Sequence, residues 1–216
     1  MIKTIFFDFD GVIVESVDIK TAAFARLFKA EGKDAVGRIV DYHLKNAGVS
    51  RFDKFRLIYR DILKRPLGEE EFHSLCGRFA GLVMDEVVGA PFVKGAKEFL
   101  ENHASRYLCC VVSATPQEEI EEIARRKGIA RYFKKIYGAP SKKTDIVKKA
   151  LSEEGTDPSS SAYVGDAMSD YEAAVANRSH FIARINKNED IFRDIDCVKI
   201  RDLSGLQGVL EKIGRQ

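Results

Sequence analysis

The stretch Lys3-Thr-Ile-Phe-Phe-Asp8-Phe-Asp10-Gly11 decides the fold. Its first half is short, β-branched and aromatic, the pattern of a strand buried on both faces. It stops on an acid, and a second acid follows two residues later. Outward from it, Tyr107-Leu-Cys-Cys-Val-Val112 reads as a second strand ending at Ser113. Lys135-Ile-Tyr137 is a third, Ala162-Tyr-Val164 a fourth that ends at Gly165-Asp166, and His180-Phe-Ile-Ala-Arg184 a weaker fifth. Helical patterns separate them: Gly95 to Asn102, the run opened by Thr115-Pro-Gln-Glu118, Thr144 to Leu151, Asp170 to Ala176, and Leu203 to Ile213. Thr115 reads as the hydroxyl cap of its helix, with proline in the first turn. Strands alternating with helices predict an α/β fold, a Rossmann-like doubly wound parallel sheet.

One region breaks the alternation. Between Ser16 and Gly89 there is no convincing strand, only four amphipathic stripes: Ile19/Ala22/Ala23/Leu27/Phe28, Ile39/Val40/His43/Leu44, Phe55/Ile58/Tyr59/Ile62 and Phe72/Leu75/Cys76/Phe79. They predict an inserted α-helical bundle cap. The expected division is a core of residues 1–15 and 91–216 with a helical cap of residues 16–90. A chain of 216 residues suffices for one core and a smaller unit.

Composition removes several function classes. Lys plus Arg is 35 against 33 Asp plus Glu, a net charge of +2, so the basic excess of a nucleic-acid binder is missing. No run approaches the roughly 18 apolar residues of a membrane span. Asp8, Asp10 and Glu15 interrupt the N-terminal region where a secretory signal requires apolar residues. Cys76, Cys109, Cys110 and Cys197 lack metal-ligand spacing and read as reduced core thiols, which suit a cytoplasmic protein.

In an open parallel sheet, ligands bind beyond the carboxyl ends of the strands. The first strand delivers Asp8 and Asp10 there, the second Ser113, the third Ser141, Lys142 and Lys143, the fourth Asp166 and then Asp170. Taken singly, each has an ordinary explanation as a turn former, strand-end hydroxyl or solvated helix residue. Together, four acids, a hydroxyl and a lysine converge on one edge. Carboxylates that close require a counter-ion, and an oxygen-rich acidic site suits Mg²⁺ with a phosphate ligand.

At this point a resemblance emerges. Asp8-Phe-Asp10-Gly-Val-Ile, Val-Val-Ser113, Lys143 and Val-Gly-Asp166-Ala-Met-Ser-Asp170 resemble the four ordered motifs of the haloacid dehalogenase-like hydrolase superfamily. The helical insert after the first motif is similar to the cap of its phosphoglycolate phosphatase and β-phosphoglucomutase branch. The resemblance implies an Mg²⁺-dependent phosphomonoester hydrolase acting on a small phosphorylated metabolite. In it Asp8 is the nucleophile that becomes an aspartyl-phosphate, and Asp10 the general acid and then base. Mg²⁺ is expected on Asp8, the Asp10 carbonyl and Asp166. Ser113 and Lys143 are expected to hold the phosphoryl oxygens, with Asp170 orienting Lys143 or a metal-bound water. Lys142 competes with Lys143, and the resemblance favours Lys143, which enters its helix in the spacing the family usually shows. Phe9, Gly11 and Ala114 are expected to border the substrate, and Ser50, Arg51 and Lys54 to reach it from the cap. Ser50 has a competing reading as a helix cap, and Arg51 one as a solvated side chain.

The alternatives are a phosphoglucomutase-like isomerase, a dehalogenase and a non-enzymatic receiver-type phospho-acceptor. Mutase-type relatives tend to carry histidine ten residues after the second aspartate, where this chain has Lys20. Asp10 is superfluous in dehalogenation. A receiver domain is about half as long and lacks a helical insert here.

Overall fold

A computed structural model describes residues 1–186 and 191–215 of the chain. The first strand, β1 (Thr4–Phe7), is buried at every position. Ile5 and Phe7 point into one hydrophobic cluster and Phe6 into another on the opposite face. That split follows from the two-residue period of a strand, and it explains why an unbroken apolar run is required. Truncating Phe7 to alanine removes enough packed surface to cost about 3–5 kcal/mol.

Around β1 lie β2 (Leu108–Pro116), β3 (Lys135–Ala139), β4 (Ser161–Gly165), β5 (His180–Arg184) and β6 (Val198–Ile200). The order is β3-β2-β1-β4-β5-β6, and every pairing is parallel. β1 and β4 are neighbours in space but far apart in sequence, so the order reverses beside β1. This is the switch point at which such sheets open a crevice. Phe7 is level with Val111 and Val164, which brings Asp8, Ser113 and Asp166 to the same rim.

Four α-helices follow β1: α1 (Val17–Leu27), α2 (Lys33–Lys45), α3 (Arg51–Leu57) and α4 (Glu69–Gly89), α3 running on into π-helical turns over Ile58–Leu63. Phe24, Phe55 and Phe79 meet at ring distances of 4.8–6.0 Å, and the His43 ring stacks on Phe24 at 4.4 Å. The remaining helices are α5 (Ala96–His103), α6 (Gln117–Arg126), α7 (Lys143–Glu153), α8 (Met168–Ala176) and α9 (Leu206–Ile213). The chain leaves and re-enters the sheet region side by side: Val93 N–H donates to Ile13 O at 3.0 Å and Glu15 N–H to Pro91 O at 3.0 Å. Contacts also join α4 to α6, among them Arg126–Asp85 at 2.8 Å.

Two elements differ from the sequence expectation. β2 extends through Pro116 instead of stopping at Ser113, because after a register shift Pro116 pairs with Ala139. Thr115 therefore lies within the strand and is no helix cap; α6 begins after Pro116 without a side-chain cap. β6 was not anticipated. It is an edge strand of three residues, two of them exposed, and has no apolar run to reveal it.

Candidate active site

Asp8 follows β1 and is anchored by its N–H, which donates to Val164 O at 2.9 Å. Lys143 opens α7 and reaches into the sheet rim, where its Nζ lies 3.1 Å from Asp8 Oδ1 and 2.7 Å from Asp170 Oδ1. Asp170 is wholly buried, and its other oxygen accepts the Ala167 N–H at 3.0 Å, pinning the start of α8. Asp8, Asp166 and Asp170 present carboxylate oxygens within 4.8 Å of one another. Lys142 is exposed and Lys143 buried, which separates the two candidates.

Three acids around one lysine is an excess of negative charge. Burial pushes the Asp8 carboxyl up to about 7, with Asp170 and Asp10 adding to the rise and Lys143 opposing it. Burial raises Asp166 well above the carboxylate range too, reinforced by Asp8 and Asp170. For Lys143, burial favours the neutral amine, but Asp170 and Asp8 outweigh it and raise its pKa. Oxygen donors that repel one another in this way suit a hard divalent cation, and the residues fit Mg²⁺.

Asp10 is in a different environment. Its Oδ1 accepts the Ser16 hydroxyl at 2.6 Å, and its Oδ2 accepts Lys20 Nζ and the Thr115 hydroxyl, the latter at 3.1 Å. Lys20 Nζ also donates to Thr115 Oγ1 at 2.7 Å. Burial alone raises the Asp10 pKa, but the charge and hydrogen bond of Lys20, with Ser16 and Thr115, hold it below the ordinary value. Two carboxylates two residues apart thus have opposite proton affinities.

Gly11 has a positive φ of 78°, and a Cβ there would lie 2.1 Å from Asp166 Oδ2. Only glycine lets the turn after Asp10 pass so close to the fourth strand's acid. At Gly48, φ is 76° and a Cβ would fall 2.2 Å from Ser169 Oγ, so the loop between α2 and α3 rests directly on the start of α8.

Asp8, Asp10, Asp166, Ala114, Arg51 and Lys54 line one cavity. Ser50 and Lys143 line the adjoining crevice instead. Ser50 is the N-cap of α3, its hydroxyl accepting the Asp53 N–H at 3.2 Å. Arg51 is not solvated. It is buried over the Phe79 ring and makes two bonds to Glu119 of α6, at 3.1 and 2.6 Å. Ser113 is fully buried, its Oγ accepting the Thr115 N–H at 3.1 Å. Phe9 is buried, its carbonyl accepting the Ile13 N–H at 2.9 Å, and the Gly11 N–H donates to Val14 O at 2.7 Å.

Sequence reasoning passed over Arg184, at the tip of β5. Its guanidinium donates to Gly11 O at 2.9 Å, Glu15 Oε1 at 2.7 Å and Asn186 Oδ1 at 2.7 Å, and Asn186 Nδ2 donates to Asp166 Oδ2 at 3.3 Å. This bracket ties the Asp10–Gly11 turn to Asp166. The available signal was its place at a strand's C-terminal end, the criterion that singled out Ser113 and Asp166.

A parallel sheet with acids from β1 and β4 and a lysine from α7 at its switch point defines a class. The chain belongs to the haloacid dehalogenase-like hydrolase family, whose model matches residues 5–184. It is an enzyme of phosphatase type. Phosphoglycolate phosphatase of Synechococcus elongatus is 26% identical over 185 residues, 80% of this chain and 78% of the relative. Among solved structures, β-phosphoglucomutase from Clostridium difficile superposes with a TM-score of 0.79 at 18% identity, covering 100% of this chain and 98% of its own. A protein described as a predicted phosphoglycolate phosphatase from Haemophilus somnus gives 0.74 at 19% identity, covering 96% and 97%.

Proposed function

We propose that this hydrolase removes the phosphoryl group from a small phosphorylated metabolite by way of a phosphoaspartate on Asp8, with Mg²⁺ as cofactor and the helices α1–α4 as a cap over the site. The observation that carries the reading is the pairing of Asp8 with Lys143 Nζ at 3.1 Å inside a cluster of three acids, of which Asp8 and Asp170 are buried. Asp8, Asp166 and the Asp10 carbonyl are the proposed metal ligands. When bound, the cation neutralises the repulsion between these carboxylates and an incoming phosphate and polarises the phosphoryl group.

In the first half-reaction the Asp8 carboxylate attacks phosphorus, and Asp10 protonates the departing alcohol oxygen. Asp10 is held ionised in the free site. A dianionic phosphate arriving beside it raises its proton affinity, as any nearby negative charge does. In the second half-reaction Asp10 takes a proton from water, which cleaves the phosphoaspartate. Lys143 and Ser113 stabilise charge on the phosphoryl oxygens, and Asp170 keeps Lys143 aimed at Asp8. Lys20, bonded to Asp10 where mutase-type relatives tend to have histidine, supports transfer to water over return to a second hydroxyl.

The near-balanced charge supports a small-molecule substrate over nucleic acid. Among the described residues no helix is long and apolar enough to cross a membrane. Free cysteines support a cytoplasmic setting. The test is a phosphate-release screen over phosphorylated metabolites with Mg²⁺ present, with products resolved by NMR. Inorganic phosphate is the expected product; an isomeric phosphate ester without phosphate release overturns hydrolysis.

A further inference from the structure

The proposed reaction makes no use of Arg184, a charge only 5% exposed at the tip of β5. Its fork meets separate segments of the chain. Nε donates to Arg201 O at 3.2 Å beyond β6, Nη2 to Glu15 Oε1 at 2.7 Å, and Nη1 to Gly11 O at 2.9 Å and Asn186 Oδ1 at 2.7 Å. Glu15 supplies the counter-charge, so the pair brings no net charge to the neighbouring acids. Its influence there is one of position.

Asn186 carries that position to Asp166. A guanidinium offers only donors and a carboxylate only acceptors. An amide between them has one arrangement that serves both: its oxygen faces Arg184, and its nitrogen donates to Asp166 Oδ2 at 3.3 Å. A Cβ on Gly11 would fall 2.1 Å from the same Asp166 oxygen, so that oxygen also abuts the turn that Arg184 holds. One guanidinium thus fixes the turn after β1 and, through an amide, the carboxylate after β4. Bonded to Asp166 directly, it would compete with a cation for that carboxylate; the intervening amide orients the acid without doing so.

Resting on the reading of an Mg²⁺-dependent phosphatase, we propose that Arg184 and Asn186 are positioning residues for the cation: together they set Asp166 against the Asp10–Gly11 turn, so that ligands from two strands meet one ion. The two side chains act in series, and either break in the bridge releases Asp166. Lysine at 184 keeps the charge opposite Glu15 but has no fork to hold Gly11 and Asn186 at once. Leucine at 186 keeps the shape of the asparagine and loses both of its hydrogen bonds.

The experiment titrates Mg²⁺ alone into the EDTA-dialysed protein by calorimetry, for wild type, Arg184→Lys, Asn186→Leu and the double variant. Each single variant is expected to raise the Kd for Mg²⁺ about tenfold or more, as loss of a residue that orients a metal ligand does. The double variant should be no weaker than the weaker single one, because both changes cut the same bridge. With p-nitrophenyl phosphate, the Mg²⁺ concentration giving half-maximal turnover should rise in parallel, while kcat at saturating Mg²⁺ stays within about 3-fold of wild type. A merely structural role predicts a fall in kcat that added Mg²⁺ does not restore. Asn186 is half-buried in the loop after β5, so its variant should keep the wild-type unfolding midpoint and carries the test if Arg184→Lys folds poorly. A wild-type Kd in Asn186→Leu, penalties that multiply in the double variant, or a kcat loss that persists at saturating Mg²⁺ overturns the bracket and leaves the phosphatase reading intact. No Mg²⁺ binding and no Mg²⁺-dependent turnover in wild type overturns the metal site and the bracket with it.

Discussion

Arg51 of α3 and Glu119 of α6 are joined by two hydrogen bonds, at 3.1 and 2.6 Å, across the boundary between the helices that follow β1 and those that cover the sheet. Arg51 is 5% exposed and Glu119 19%, so water screens the pair poorly. Removing one partner strands the other. Arg51→Ala and Glu119→Ala are each expected to destabilise by about 3 kcal/mol. The double variant should fall short of the sum by about 2 kcal/mol. Denaturant titration of the four proteins measures that coupling; strict additivity contradicts it.

Lys20 sets the proton affinity of Asp10. Without it, Asp10 keeps burial and loses its nearest cation, so its pKa rises. In Lys20→Met the acid limb of the kcat profile is expected to move to higher pH, with kcat lowered about tenfold or more near pH 6. A profile shaped like wild type excludes Lys20 as the tuning group.

Asp8→Asn should lower phosphate release at least about a thousandfold, as loss of a nucleophile does. Its far-UV circular dichroism should be unchanged. EDTA should silence the wild-type enzyme and Mg²⁺ restore it. Mg²⁺ at about 100 times its Kd should raise wild-type stability by about 2.7 kcal/mol. The gain should shrink in Asp8→Asn. Metal-independent turnover refutes the assigned site.

His43 is held neutral. Burial, with Lys54 and then Lys20 beside it, lowers its pKa from 6.5 to about 3. Between those values the unfolded chain binds a proton that the folded protein refuses, so this group's contribution is present above pH 6.5 and lost as pH falls toward 3. His43→Gln should therefore show a smaller loss of stability from pH 7 to pH 5 than wild type, both with Mg²⁺ present. Parallel losses in the two proteins exclude His43 as the source.

The legible parts of the candidate site were those that close apolar runs. Asp8, Asp166 and Ser113 end apolar runs, and a parallel sheet sends all such ends to one rim. Arg184 ends a strand as well, yet its bracket across Gly11, Glu15 and Asn186 depends on β5 lying two strands from β1, which no local pattern encodes. Thr115 has the local chemistry of a helix cap. Pairing of Pro116 with β3 keeps it in the strand, where its hydroxyl serves Asp10.

The chain's own periodicities determined the α/β core, the four helices after the first strand and the acids at the rim. Burial periodicity and strand ends are local properties that each segment carries wherever it packs. Only the tertiary structure decided that Arg51 spends its charge on Glu119, that Asp10 is tied to Lys20, and that Lys54 is buried with no counter-ion among the described residues. Those outcomes are set by which side chains meet across segments tens of residues apart, and the strength of a charge depends on its neighbours and on the water excluded around it.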